Sequence, residues 1–347
     1  MFGGARRAST HEREIVSETS IARPDGTLDR AAVGYARTPL FEGRGAGRFP
    51  RRKRWVYWCV TTDTHLLSIT LADLDYAGLA TAWFLDYETN DLVEAVFVSP
   101  LGLGFHLPSR VAGSDVTIVS PGLRVAIRET PGNTRLELSF ARRGRTVDAG
   151  IDVGLPPGHE TLSVLVPWDA NRFQLTSKHQ ARPAHGDAIV DGKRYVFDAR
   201  GRAFGTLDFG CGVWPYATAW NWGSGSGVAQ GRTVGWNLGG LWTRGTGVTE
   251  NALVVDGKLH KIGEELVWEY DLDEPLAPWH VAAPRSGAVD LTFVPFHPRS
   301  HRMTIGVLSS ALHLAFGRWS GTVATTEGEV IRVHDVVGWA EEHRARW

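Results

Sequence analysis

Residues 214 to 251 hold the side chains of this sequence best suited to do chemistry. Glu250, Asn251 and Asn237 are polar groups set in apolar, strand-like sequence, GWNLGG (235–240) and VTENALVVDGK (248–258). A carboxyl in an apolar site holds its proton more tightly and can serve as a general acid. Around these three stand Trp214, Tyr216, Trp220, Asn221, Trp222, Trp236 and Trp242. Indole gains much from burial, and its N–H usually needs a partner there. The cluster is either an aromatic-walled ligand cavity or an aromatic core. Glu250 is either an acid in that cavity or a structural carboxylate, satisfied by backbone N–H groups or by Arg244. The residues alone leave both choices open.

In an extended strand, side chains two apart share a face. WPYATAWNW (214–222) then has one broad aromatic face, Trp214, Tyr216, Thr218, Trp220 and Trp222. Its other face, Pro215, Ala217, Ala219 and Asn221, is mostly small. GSGSG (223–227) lacks the Gly-Lys-Ser/Thr ending of a phosphate loop and reads as a flexible hairpin or rim loop. Lysine is scarce, and Lys178 in TSKHQ is a further candidate for chemistry or for an acidic head group. In LVWEYDLD (266–273) the acids Glu269, Asp271 and Asp273 alternate with apolar residues and read as a solvated face. His297 and His301 have a metal-like spacing, but Pro295 and Pro298 oppose the helix that would align them. No metal site, no other cofactor and no nucleophile elbow is expected.

The elements that must carry these groups are strands. WVYWCV (55–60), HLLSITLADL (65–74), ATAWFLDY (80–87), LVEAVFVS (92–99), DVTIVS (115–120), LRVAIRET (123–130), TRLELSFA (134–141) and TLSVLVPW (161–168) form one series. A second series turns at Asp191-Gly192, Asp256-Gly257 and Glu327-Gly328. Asp-Gly between alternating segments is a strong hairpin signal, because both turn residues take positive φ. Sustained 3.6-residue periodicity is absent, so few helices are expected. The expected fold is all-β, two consecutive antiparallel β-barrels or strongly curved sheets packed together. The expected organisation is an N-terminal arm over 1–45, a first β domain over 46–170, and a second over 171–347 with the Trp/Gly-rich segment.

The chain has 347 residues, 43 % hydrophobic and 22 % charged, with a net charge of −1. That composition suits a folded protein with a full core and gives no global field for nucleic acid. The basic run Arg51-Arg52-Lys53-Arg54 reads as a solvated strand flank. Two cysteines, Cys59 and Cys211, make no disulfide framework. No stretch has the length of a membrane span or the apolar core of a signal peptide, so a cytoplasmic protein with no stable membrane insertion is expected.

Five segments resemble a bacterial family, domain of unknown function 2804. They are TSKHQARPAHG (176–186), GVWPYATAWNWGSGSG (212–227), GWNLGG (235–240), TENALVVDGKLHKI (249–262) and VGWAEEHRARW (337–347). KRWVYWCVTTDTHLLSITLADLDYAG (53–78) fits its first half. More distantly, the chain is similar to lipocalin-like proteins that include carotenoid hydratase (hydroxyneurosporene synthase). The resemblance implies a lipocalin-like fold and a cofactor-independent hydratase, cyclase or isomerase. Its substrate would be a hydrophobic small molecule, isoprenoid- or polyketide-like. Glu250 would then protonate an alkene, and Trp220, Trp222 and Trp236 would face the developing cation. Asn221, Asn237, Asn251 and Tyr216 would orient water or a substrate oxygen. The alternative is a non-catalytic carrier or sensor of an apolar ligand. A carbohydrate-active enzyme is a third possibility.

Overall fold

The computed structural model describes residues 10–111, 113, 115–198, 200 and 202–347. The first nine residues of the arm expected at 1–45 lie outside this set. The fold is all-β, with no α-helix among the described residues and one short 3-10 turn at Arg30–Ala32. The sheets amount to one nearly closed barrel and one half-barrel. The chain forms two compact units, one spanning Ile15–Trp214 and the other Pro215–Trp347 with the residues up to Glu14.

In the Ile15–Trp214 unit the main sheet starts with four strands, Asp91–Pro100, Ala77–Asp86, His65–Asp73 and Arg52–Thr61. It then crosses through Phe204–Val213 to Phe173–Val190, and on to Arg145–Gly154, Asn133–Arg142, Leu123–Thr130 and Val116–Ser120. The two limbs come back towards each other. Arg145, at the start of its strand, pairs with Asp91 Oδ2 at 2.6 Å, at the start of another. The alternating apolar residues Val56, Trp58, Val60, Leu67, Ile69, Leu136, Leu138 and Phe140 turn inward and join one core. Ile15, Ile21, Leu28 and Phe41 of the arm pack into that same core.

Residues 171–347 were expected to form the second domain. The strand Phe173–Val190 instead pairs inside the first sheet, with Leu162–Pro167 along its first half and with Arg145–Gly154 and Lys193–Phe197 along its second. Phe204–Val213 also pairs there, with Arg52–Thr61. A single 18-residue strand therefore serves several partners, which a segment-by-segment reading does not show. Asp191-Gly192 and Asp256-Gly257 turn their hairpins as expected, with φ of 47° and 84°, and 45° and 76°.

The second unit is a nine-stranded antiparallel sheet. Its order is Lys258–Lys261, Ala252–Val255, Arg232–Gly240, Ala217–Ala229, Val330–Arg346, Leu308–Ala324, Val289–Ile305, Trp279–Ala282 and Val267–Glu269. Bulges at Pro295/His297 and Trp319/Gly321 interrupt the longest strands, and bulges bend a strand and raise its twist. GSGSG is neither hairpin nor rim loop. It lies inside Ala217–Ala229, and its glycines face the core. A Cβ on Gly223 would meet Trp268 at 2.9 Å and Trp319 at 3.1 Å, and one on Gly225 would meet Trp236 at 2.6 Å. Glycine stands there because indole rings fill the space a Cβ would take. Trp268, Tyr270 and Leu272 pack on this core, while Val267 and Glu269 stay exposed, as their alternation predicts.

Candidate functional site

Strand Arg232–Gly240 alternates, so Trp236 and Leu238 enter the core while Asn237 and Gly239 point from the opposite face. The chain then leaves the sheet and returns at Ala252, which pairs with Asn237. This excursion lays Glu250 over Gly239. Asn251 secures the return. Its Oδ1 accepts from Gly239 N at 2.6 Å and its Nδ2 donates to Glu264 O at 3.0 Å.

Glu250 is buried, at 2 % exposure. Trp242 Nε1 donates to its Oε1 at 2.5 Å. Asn237 Nδ2 donates to the Glu250 backbone oxygen at 2.7 Å and makes only a long contact, 3.4 Å, with Oε2. Asn237 Oδ1 in turn accepts from Trp222 Nε1 at 2.8 Å. Trp222 meets Trp339 edge to face, with centroids 5.1 Å apart, and Trp339 meets Phe316 in the same way. A run of indole, carboxylate, amide and indole therefore crosses an aromatic face. The two carboxylate oxygens differ. Oε1 is held by a short bond from the Trp242 indole. Oε2 has the looser donor, which keeps its better bond to the backbone whatever Oε2 does.

The nearby positive charge is Lys261, not Arg244. Lys261 is buried, and its Nζ contacts Glu12 Oε1 at 2.9 Å, Thr249 Oγ1 at 2.8 Å and Ile262 O at 3.1 Å. Burial pushes the Lys261 ammonium pKa down, and the carboxylates of Glu12, Glu250 and Glu265 oppose that shift. Arg244 is exposed, and its field reaches Glu265, whose pKa burial raises.

The remaining expected residues are dispersed. Trp220 shares the face of Trp222, donates to Glu341 Oε1 at 2.7 Å and packs on His343, with centroids 4.3 Å apart. Asn221 points the other way, to Tyr270 Oη at 3.1 Å, and Tyr270 donates to Glu342 Oε2 at 2.6 Å. Trp236 lies on the core face, edge to face with Trp319. It is separated from Glu250 by the sheet itself, so it is no part of that wall. Tyr216 is 65 % exposed and stands apart. Trp214 and Lys178 belong to the Ile15–Trp214 unit. Trp214 Nε1 donates to Gln174 Oε1 at 2.8 Å, and Lys178 pairs with Asp208 Oδ2 at 2.9 Å.

The sequence reading overlooked Gly239, Thr249, Lys261 and Glu12. The Glu12–Lys261 pairing carries no local signal, since the partners are 249 residues apart. In the other unit, Ser177 and His179 are adjacent, with Oγ to Nε2 at 3.4 Å. Arg182 Nη1, a donor only, lies 3.3 Å from His179 Nδ1 and leaves the ring proton on Nε2. His179 therefore cannot take a proton from Ser177 in this arrangement. Among the described residues no group of three His, Cys, Asp or Glu side chains is placed to hold a metal ion. No helix of the described residues is long and apolar enough to cross a membrane.

Solved structures with similar backbones include a candidate AttH protein of Nitrosomonas europaea, at 12 % identity and a TM-score of 0.47, covering 89 % of this chain and 99 % of that one. Kievitone hydratase from Nectria haematococca matches at 10 % identity and a TM-score of 0.44, covering 84 % and 88 %. CghA with Sch210972 matches at 11 % identity and a TM-score of 0.44, covering 94 % and 97 %. No curated protein matches in sequence. The family model for a domain of unknown function, number 2804, matches residues 12–347, and the chain belongs to that family.

Proposed function

We propose that the protein is a cofactor-independent hydratase, cyclase or isomerase for a hydrophobic, isoprenoid- or polyketide-like substrate, with Glu250 as its proton-transfer group. The observation that carries this reading is the asymmetry of the Glu250 carboxyl. Trp242 Nε1 lies 2.5 Å from Oε1, while Asn237 Nδ2 stands at 3.4 Å from Oε2. Asn237 keeps its bond to the Glu250 backbone oxygen when Oε2 carries a proton. In a hydration, Oε2–H would transfer its proton to one alkene carbon. Water would add to the cationic carbon, and the proton that water loses would return to Oε2. The net change is the addition of one water, with Glu250 regenerated. Trp222 and Trp242 would present π-faces to the cation.

A second reading, a carrier or sensor of an apolar ligand, draws support from the internal pairing of Trp242, Glu250, Asn237 and Trp222. That pairing can serve shape alone. Incubating the protein with a lipid extract of its native host, followed by mass spectrometry of bound and free species, separates the two. A species gaining one water, or an isomer with a new retention time, supports the enzyme. A bound lipid recovered unchanged after long incubation supports the carrier.

A further inference from the structure

The Ile15–Trp214 unit contains a cleft of about 430 Å³ that the proposed reaction does not use. Its lining includes four arginines, Arg44, Arg52, Arg54 and Arg110, and one acid, Glu42. The run at 51–54 is thus not a plain solvated flank. Lys53 is buried, and Arg52 and Arg54 turn toward partners and the cleft. Arg52 is committed to Asp75 at 3.0 Å and Arg54 to Asp73 at 2.5 Å. Arg54 Nε remains buried without a hydrogen-bond partner. Among the described residues Arg110 pairs with the rim carboxylate of Glu18, itself 77 % exposed, at 3.2 Å. Arg44 is exposed and makes no contact ion pair among the described residues.

The Glu42 carboxyl is held below its usual pKa against the opposing effect of burial, by Ser109, by the Arg44 backbone N–H and by the fields of Arg44 and Arg110. Glu42 is therefore a fixed anion; with Arg52 and Arg54 committed to Asp75 and Asp73, it leaves one guanidinium of the Arg44 and Arg110 pair in excess. The apolar part of the lining is Ala46, Leu107, Pro108 and Cys211, beside Ser109. Burial pushes the Cys211 thiol up to about 12, so it serves as neutral wall. A Cβ on Gly43 would lie 2.7 Å from Cys211 Sγ, and glycine there lets the 41–46 segment lie against that wall.

We propose that this cleft binds an amphiphilic oxyanion, its carboxylate or phosphate head on Arg44 and Arg110 and its short apolar body against Leu107, Pro108 and Ala46. Guanidinium matches either head group with paired N–H donors. The volume falls in the range of small-molecule sites.

Calorimetric titration of the full chain with octanoate, octyl phosphate and octanol tests this. Both anions are expected to bind, octanol is not, and the tighter anion identifies the head group. Arg44→Gln with Arg110→Gln, one exposed and one half-buried position, is expected to weaken anion binding at least about tenfold, the scale of one charge-assisted hydrogen bond. Glu250→Gln is expected to leave it unchanged, which separates this site from the proposed reaction. Three results would overturn the proposal: no heat with either anion, equal binding of octanol, or unchanged affinity in the double arginine variant.

Discussion

Gly239 and Glu250 occupy one space: a Cβ on Gly239 would lie 2.3 Å from Glu250 Oε1 and 2.4 Å from Cγ. The absence of a side chain at 239 is therefore what seats the carboxyl against Trp242 and Asn237. Gly239→Ala is expected to displace Glu250 and to cost about 1–3 kcal/mol, the usual range for overpacking. Urea unfolding measures the loss. Unchanged stability would mean that Glu250 moves aside freely and is not held in place.

Trp242→Phe keeps an aromatic ring, though a smaller one, and deletes the N–H that serves Oε1. The expected cost is about 1–3 kcal/mol, that of leaving a buried acceptor without its donor. A crystal structure of the variant is expected to show Glu250 turned from its present rotamer. The same rotamer with full stability would remove Trp242 from the account.

Lys261→Met leaves Glu12 buried without its cation and is expected to destabilise the protein by about 3–5 kcal/mol. Adding Glu12→Gln is expected to recover much of that loss, because the uncompensated charge disappears. A double variant as unstable as the single one would show that packing, not charge, sets the cost.

His343 gives the second unit a pH dependence. Burial lowers its pKa from 6.5 to about 4, with help from the field of His301. Trp220 packs on it, Ser310 Oγ lies 2.8 Å from Nε2, and Glu341 lies 3.8 Å from Nδ1. The unfolded chain takes up a proton below pH 6.5 while the folded one waits until about 4. This stability is thus complete above 6.5 and is lost as pH falls toward 4, by up to about 3 kcal/mol. In denaturant titrations between pH 7 and 4, His343→Asn is expected to show a shallower decline than the parent. Parallel profiles would contradict it.

Much of this was legible in the residues, and the exceptions have physical causes. Strand alternation marked most strands, the two Asp-Gly hairpins, and the opposite directions of Trp222 and Asn221. The strands Arg145–Gly154 and Phe204–Val213 escaped because glycine and polar residues blur their alternation. GSGSG misled because its glycines answer to indoles from distant strands, Trp268, Trp319 and Trp236. Asn237, Glu250 and Asn251, set apart in the sequence as polar groups in apolar segments, are brought together by the return of the chain at Ala252. Lys261 and Glu12 meet only through tertiary structure.

The most direct test of the central claim is Glu250→Gln, which keeps the volume and can still accept from Trp242 but cannot hold an exchangeable acid proton. Lipid binding and turnover would be followed together by mass spectrometry on a substrate recovered from the native host. The account predicts retained binding with conversion lowered about a hundredfold or more, the scale of general acid–base catalysis. Conversion equal to that of the parent protein would contradict it.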